Sequence, residues 1–255
     1  MGIDIGKRPR ANGQPPCGRC PDMDHPGGWN VKTQWLDYVL STVLLTVLSA
    51  LALGLAGLGS FWLTRPLLGP YFPIADLALA LLGFGLGAAL AGHIVIRRSG
   101  LGPGDYAMDS PVFTAWKLYT VSYEFGCSAL RPFTSMFARP LVAKLFGATV
   151  GRDIALGGTL VDAHLIRIGD EAIIGQGSVV TAHAIVSGRI ILKPVEIRRG
   201  ATVGVNAVVM PGVIVGERAI VAGGSVVAMD TVIPPDELWG GAPARRIKSL
   251  ASGSA

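Results

Sequence analysis

Two histidines in the C-terminal part of this 255-residue chain, His164 and His183, have side chains suited to proton transfer. An imidazole titrates near neutral pH, so it can accept a proton from a hydroxyl or amine that is becoming a nucleophile. His164 lies two residues after Asp162, which could orient its ring or cap a turn, and we interpret His164 as structural. His183 is open to two interpretations, a general base or a histidine that packs at a turn.

The N-terminal segment offers a possible metal motif in Cys17 and Cys20, which have the spacing of a metal knuckle and are followed by His25. A structural zinc site takes four ligands, and the one remaining cysteine, Cys127, gives no second pair. Three cysteines also make no disulfide framework. We therefore predict no metal, and we predict a disordered cytoplasmic tail over residues 1–34, rich in proline and glycine.

Two long apolar runs follow this tail. Residues 39–63 contain no charged side chain, and residues 74–96 contain one, Asp76, near the start of the run. A helix of about 20 residues crosses the hydrocarbon core of a bilayer. The short connection between the runs contains prolines and favours a hairpin. The sequence therefore predicts a two-span α-helical membrane anchor over residues 35–98.

The distribution of lysine and arginine around the two runs predicts their orientation. Basic residues precede the first run and follow the second at Arg97 and Arg98, whereas the connection has only Arg65. The positive-inside rule then puts both termini in the cytoplasm of an inner or plasma membrane. The basic residues are spread out and not interleaved with aromatic ones, so we predict no nucleic-acid partner.

Residues 99–146 mix aromatic, aliphatic and basic side chains. We predict an amphipathic helical connector there, which lies either on the membrane face or against the next domain.

From residue 150 onward, aliphatic residues recur every six positions. The first phase contains Val150, Leu156, Ile168, Ile174, Val180, Val186 and Leu192, with Asp162 as its single break. After a slip of one residue, the second phase contains Ile197, Val203, Val209, Val215, Val221 and Val227. A period of six gives one short strand and one turn per step, so three steps close a triangular coil. The sequence therefore predicts an all-β parallel β-helix of four to five coils over residues 147–248, and a disordered tail over 249–255.

Two features refine this prediction. Small residues follow several of the aliphatic ones and would let each corner turn tightly: Gly151, Gly169, Gly175, Gly204, Gly216 and Ala222. Residues 183–196, around the phase slip, lack this pattern, so we expect the chain to leave the coil there. Loops that leave a rigid scaffold are common places for functional sites.

Four segments, 168–180, 203–213, 222–227 and 239–248, resemble the hexapeptide-repeat acyltransferases, and the last is similar to the closing G-x-P-A-[KR]-x-[IL] segment of that family. The resemblance covers about residues 147–248 and implies a left-handed β-helix. The apolar runs and the stretch from Leu130 to Ala148 look like the membrane-bound C-terminal region of some nonribosomal peptide synthetases, such as polylysine synthetase.

The resemblance implies a site. Family members are trimers with active sites between subunits, and His183 matches the family's general base by position. It would take a proton from the acceptor that attacks the thioester of acyl-coenzyme A, which is worth about 10²- to 10⁴-fold in rate. The resemblance also implies coenzyme A contacts at Gly204, Gly223, Gly224, Ser225, Arg245 and Arg246. Hexapeptide-repeat carbonic anhydrases need three zinc-binding histidines, and this domain has only two.

These observations predict a membrane-tethered O- or N-acyltransferase that moves an acyl group, with acetyl the first candidate, to a hydroxyl or amine. The acceptor would be a membrane-associated sugar, lipid or peptide. The alternative is a non-catalytic trimeric scaffold or conduit, because a repeat fold alone does not establish chemistry. A silent scaffold has no use for His183, so this residue distinguishes the two.

Overall fold

The computed structural model describes residues 35–250, and the predictions for the two terminal tails and for Cys17 and Cys20 lie outside this range. Within it, residues 35–99 are helical with a turn between two antiparallel parts, and they form the only described segment long and apolar enough to cross a membrane. The run comprises helix α1 (Trp35–Gly59), a π-helical stretch (Ser60–Thr64), helix α2 (Arg65–Leu68), a 3₁₀ turn (Gly69–Tyr71) and helix α3 (Phe72–Ser99).

Helix α3 folds back along α1. A Cβ atom added at Gly83 would lie 3.7 Å from the Cα of Ala52, and one at Gly87 would lie 3.2 Å from a methyl carbon of Leu48. Higher numbers on α3 thus face lower numbers on α1, so the two helices are antiparallel. Glycines at these positions let the helices approach closely. The expected hairpin geometry is present, while its relation to a bilayer stays a prediction.

Helix α4 (Pro111–Leu130) connects the hairpin to the β-structure. Its N-terminus is capped by Ser110, whose hydroxyl accepts a hydrogen bond from the Phe113 amide at 3.3 Å. The helix packs on α3, since a Cβ at Gly85 would overlap the Leu130 side chain at 2.4 Å. It also packs on the β-structure, where the Tyr123 hydroxyl donates to the Leu160 carbonyl at 2.7 Å. Two 3₁₀ turns and a helix follow: Arg131–Phe133, Met136–Ala138 and α5 (Arg139–Leu145).

The remaining chain forms a parallel β-helix with three faces, which confirms the prediction from the six-residue period. The first face has the strands Thr149–Val150, Ile166–Ile168, Val195–Ile197, Ile214–Val215 and Val232–Ile233. The second has Ala155–Leu156, Ile173–Ile174, Thr202–Val203, Ile220–Val221, Glu237–Gly241 and the antiparallel Ala244–Ser249. The third has Thr159–Val161, Val179–Thr181, Val208–Val209 and Val226–Val227. The chain visits the faces in this order, so it makes four complete coils and part of a fifth.

The six-residue aliphatic positions form the core of the β-helix. Val180, Val203, Val209, Val215, Val221 and Val227 are all fully buried. Val186 is the exception within the predicted series, because it is 47% exposed. It lies on the excursion from the coil, where no second coil covers it.

The small residues at the corners are required by coil stacking. A Cβ at Gly175 would lie 2.6 Å from the Val205 nitrogen, and one at Gly204 would lie 2.4 Å from the Gly223 nitrogen. Neither Gly175 nor Gly204 has a positive φ. We expected these glycines to make the turn tight, and that reason is wrong. Glycine is required because a side chain there would collide with the backbone of the next coil.

The predicted excursion is a β-hairpin of His183–Val186 and Arg189–Leu192, inserted between the second and third coils. Ser187 and Gly188 connect its strands, with φ of 49° and 75°. Two residues with positive φ make the mirror-image turn that suits the twist of a hairpin. The strand Gly104–Ala107, from the segment between α3 and α4, pairs antiparallel with Arg189–Leu192 and completes a three-stranded sheet.

Candidate active site

His183 lies at the corner between the third and first faces, where the hairpin leaves the coil. Its Nδ1 is 2.5 Å from Oδ2 of Asp162. Asp162 occupies the same corner one coil earlier, because the strand Thr159–Val161 pairs in register with Val179–Thr181. The Asp162 side chain is 1% exposed and that of His183 is 22% exposed. The buried carboxylate therefore holds an imidazole that still reaches the surface.

Helix α4 contributes the third member of this cluster. The indole Nε1 of Trp116 donates to Oδ1 of Asp162 at 2.8 Å. The indole ring also meets the imidazole of His183 edge to face, with centroids 4.8 Å apart and an interplanar angle of 64°. One aromatic side chain thus fixes both the carboxylate and one side of the imidazole.

This arrangement favours one tautomer of His183. With the Nδ1 proton donated to Asp162, Nε2 carries the lone pair that can accept a proton. Thr181 lies close by, but its hydroxyl donates to the His183 carbonyl at 3.2 Å and so is held by the backbone. The geometry can therefore perform general-base chemistry at Nε2 of His183.

Asp162 belongs to a different histidine from the one expected. The sequence left open whether it orients His164 or caps a turn, and in the structure its carboxylate bonds His183 instead. Both ring nitrogens of His164 are buried without a hydrogen-bond partner among the described residues, and its ring packs against Tyr119 at 4.5 Å between centroids. Burial lowers the pKa of His164 to about 4, so it is neutral at neutral pH. These contacts agree with the structural interpretation of His164.

Sequence reasoning missed Asp162 as a partner of His183, and it missed Trp116 entirely. A signal for Asp162 was present, since a single carboxylate interrupts the aliphatic series where the core should continue. No comparable signal marks Trp116, because its contact with Asp162 joins residues 46 positions apart.

The residues predicted to contact coenzyme A lie elsewhere on the β-helix. Ser225 is buried, and its hydroxyl accepts a hydrogen bond from the Gly241 amide at 3.2 Å. Arg246 donates to Glu237 at 2.7 Å, while Arg245 is exposed. Ser225 and Arg246 thus have structural partners of their own.

The glycines of that group share a corner that differs from the corner of His183. Gly204, Gly223 and Gly224 follow second-face strands, at the corner between the second and third faces, and Gly224 has a φ of 68°. Within one chain the structure does not bring them beside His183. A site containing both would have to form between neighbouring subunits. Among residues 35–250, no three His, Cys, Asp or Glu side chains group as metal ligands.

No protein-family model matches this chain, and no curated protein matches it. Similar solved structures include a hexapeptide-repeat-containing acetyltransferase from Vibrio cholerae complexed with acetyl coenzyme A, which is 33% identical with a TM-score of 0.38. The match covers 42% of this chain and 63% of that chain. A maltose O-acetyltransferase from Clostridium difficile is 14% identical with a TM-score of 0.42, over 64% of this chain and 98% of that one.

A galactoside acetyltransferase in complex with coenzyme A is 21% identical with a TM-score of 0.39, over 65% of this chain and 82% of that one. All three are named as acetyltransferases, and two are bound to acetyl coenzyme A or coenzyme A.

Proposed function

We propose that this protein is a membrane-tethered acyltransferase that uses acyl-coenzyme A, with His183 as its general base. The observation that carries the proposal is the buried carboxylate of Asp162 at 2.5 Å from Nδ1 of a partly exposed imidazole. Burying a carboxylate is costly unless its partners stabilise it. A carboxylate buried at this one break in an aliphatic core, bonded to an imidazole, is typical of a catalytic pair.

The proposed reaction needs one proton acceptor. Nε2 of His183 takes the proton from the acceptor hydroxyl or amine as its oxygen or nitrogen attacks the thioester carbonyl. The carbon–sulfur bond then breaks, and the imidazolium returns the proton to the departing thiolate of coenzyme A. Asp162 stabilises the imidazolium in between, and acetyl is the first acyl group to test.

Coenzyme A binding is assigned to the corner glycines Gly204, Gly223 and Gly224 and to the exposed Arg245. The proposal includes a left-handed coil and a homotrimer, in which this corner of one subunit approaches the His183 corner of the next. Guanidinium groups suit the phosphates of coenzyme A. Arg246 and Ser225, although held by Glu237 and Gly241, remain part of the proposed surface.

The tether is assigned to the helical hairpin, with α1 and α3 as two membrane spans and both termini in the cytoplasm. Large apolar side chains on its surface support this, because Leu51, Leu53, Leu55 and Leu58 are each at least 60% exposed. Aromatic side chains are exposed toward both ends of the hairpin, at Trp35 and Trp62. Such rings favour the interface between lipid and water. The acceptor would then be a membrane-associated sugar, lipid or peptide.

The direct test is acyl transfer by the purified full chain with acetyl coenzyme A and a panel of hydroxyl and amine acceptors, read as free thiol and as product mass. Wild type should release coenzyme A in an acceptor-dependent way, and His183→Ala should not. Wild-type protein that is inactive with acyl-coenzyme A of every chain length tried would leave the non-catalytic scaffold as the better account.

A further inference from the structure

The strand His183–Val186 is the open edge of the three-stranded sheet. Its inner side pairs with Arg189–Leu192, which pairs in turn with Gly104–Ala107. No other strand among residues 35–250 pairs with its outer side. A sheet edge presents unpaired main-chain N–H and C=O groups to which another extended chain can bond. Because this edge begins at the candidate general base, a chain that pairs with it lies beside the imidazole.

The register shows which main-chain groups point outward from this edge. Ala182 and Lys193 lie opposite each other, and the Lys193 amide donates to the Ala182 carbonyl at 2.9 Å. Opposite residues of an antiparallel pair alternate between hydrogen-bonded and non-hydrogen-bonded pairs. His183 and Ile185, one and three positions after Ala182, are therefore in non-hydrogen-bonded pairs. Their N–H and C=O groups face away from the partner strand.

The outward groups of His183 have a partner, whereas those of Ile185 do not. The Thr181 hydroxyl donates to the His183 carbonyl at 3.2 Å and lies 3.4 Å from the His183 amide, from which it can accept. On the outer side of Ile185, no hydrogen bond is formed with any part of the chain that the structure describes. Ile185 is 46% exposed. The edge therefore offers one donor and one acceptor, both on Ile185.

The side chains of His183 and Ile185 lie on the same face of the sheet, because alternate residues of a strand share a face. Directly opposite residues on one face of an antiparallel pair have Cβ atoms about 4.5–5.5 Å apart. A chain that pairs with Ile185 in antiparallel orientation thus puts its own side chain against that of Ile185. The residue two positions further along that chain puts its side chain opposite the imidazole of His183.

We infer that the acceptor is an extended peptide that pairs with the edge at Ile185 and presents a side-chain hydroxyl or amine to His183. The inference rests on the proposed function and selects one of its acceptor classes. A peptide residue carries one N–H and one C=O at the spacing that meets both groups of Ile185. An apolar peptide residue suits the position opposite the Ile185 side chain, two residues before the one that is acylated.

The peptide takes part in the proposed reaction without any further reactant. Its side-chain oxygen or nitrogen forms the new bond to the acyl carbon, and the proton of that group goes to Nε2 of His183. The carbon–sulfur bond breaks, and the proton returns to the sulfur of coenzyme A. The main-chain bonds at Ile185 hold the nucleophile in place during these steps.

The test compares two blocked acceptors, acetyl-Val-Ala-Ser-amide and acetyl-Ser-amide, with acetyl coenzyme A and the full chain purified in a neutral detergent. The tripeptide should be the better acceptor in kcat/KM by at least about tenfold, because it adds two main-chain hydrogen bonds. Ile185→Pro removes the outward N–H without removing a bond within the sheet, and an edge strand tolerates such a proline. It should lower the tripeptide preference by at least about tenfold.

The matched control is Val186→Ala, which shortens an exposed side chain on the other face of the same strand. The tripeptide preference should stay within about threefold of wild type in this variant. Equal kcat/KM for the two acceptors in wild type would overturn the inference. So would a tripeptide preference that Ile185→Pro leaves unchanged.

A second measurement does not depend on the folding of the proline variant. A tripeptide analogue with an ester oxygen in place of the valine N–H cannot donate to the Ile185 carbonyl. It should bind wild type about tenfold more weakly than the tripeptide in calorimetry, and equal affinity would contradict the edge pairing. A photo-crosslinker placed at Ile185 that joins two copies of the chain despite saturating tripeptide would show that a second subunit covers the edge, and it would also overturn the inference.

Calorimetry without acyl-coenzyme A separates the inference from the proposed function. Tripeptide binding that Ile185→Pro weakens, in a protein that transfers no acyl group, supports the peptide edge and contradicts the proposed function. Transfer to acetyl-Ser-amide without any preference for the tripeptide supports the proposed function and contradicts the peptide edge.

Discussion

The imidazole of His183 is held by two side chains from different parts of the chain, Asp162 from the previous coil and Trp116 from α4. Their roles differ. Asp162 accepts a hydrogen bond from Nδ1 and would stabilise the imidazolium, whereas Trp116 keeps the carboxylate oriented toward the imidazole ring. This division allows the two contributions to be measured separately.

Asp162→Asn should leave His183 in place but remove the negative charge behind it. We expect acyl transfer to fall by up to about 10⁴-fold, because the amide that replaces Oδ2 can donate to Nδ1 and leave the ring proton on Nε2. An undiminished rate in folded Asp162→Asn protein would mean that Asp162 is only structural.

Trp116→Phe should keep an aromatic ring beside His183 and remove the indole N–H. The Asp162 oxygen that it leaves unpaired should cost about 1–3 kcal/mol of stability. Transfer should also fall, because the carboxylate is free to turn. The matched control is Tyr119→Phe, which removes another hydrogen bond of α4, to the Phe146 carbonyl at 3.1 Å. The unfolding temperature and the transfer rate should both fall in Trp116→Phe, and only the unfolding temperature should fall in the control.

His164 predicts a pH dependence of folding. Its pKa is about 4 in the folded protein, against roughly 6.5 for a free imidazole, so the unfolded chain binds the proton more tightly. Stability is therefore lost as pH falls from about 6.5 toward 4, by about 2 kcal/mol between pH 7 and pH 4.5. His164→Leu should flatten this part of the curve in denaturant unfolding. An unchanged slope would show that other groups cause it.

At the scale of elements, the six-residue period predicted the β-helix because every sixth side chain must enter a continuous core. The slip near residue 192 predicted an excursion for the same reason, since a hairpin breaks the count. The third strand of that sheet, Gly104–Ala107, could not be predicted, because its pairing with Arg189–Leu192 joins segments far apart in sequence. The contact of Trp116 could not be predicted for the same reason, because the apolar periodicity of a helix does not indicate which strand the helix packs against.

The strand Gly104–Ala107 also connects the β-hairpin to the helical hairpin. Gly104–Ala107 begins five residues after the end of α3 at Ser99, and it pairs with the strand that follows the turn after His183. The corner that carries His183 is thus connected directly to the end of a helix assigned to the bilayer. Helix α4 adds a second connection through Trp116.

At the scale of the whole molecule, α4 packs against both the helical hairpin and the β-helix and so connects them. The ion pair of Lys117 with Asp37 ties α4 to the start of α1. The candidate site therefore has a fixed relation to the helical hairpin.

The membrane topology predicts a labelling pattern. In a background with Cys17, Cys20 and Cys127 changed to serine, a cysteine at Leu67 should react with an impermeant maleimide added outside intact cells. Leu67 is at the tip of the hairpin and is 70% exposed. A cysteine at Ser249 should react only after the cells are opened, because the positive-inside rule keeps that end in the cytoplasm. Labelling of Ser249→Cys from outside would reverse the assignment.

The central claim is that His183 performs chemistry and does not merely pack at a corner. The most direct measurement takes one purified variant, His183→Ala, and records its acyl-transfer rate together with its equilibrium affinity for coenzyme A. The account predicts a fall in rate of about 10²-fold or more, with coenzyme A affinity within about threefold of wild type. Undiminished transfer by a folded His183→Ala protein would contradict it.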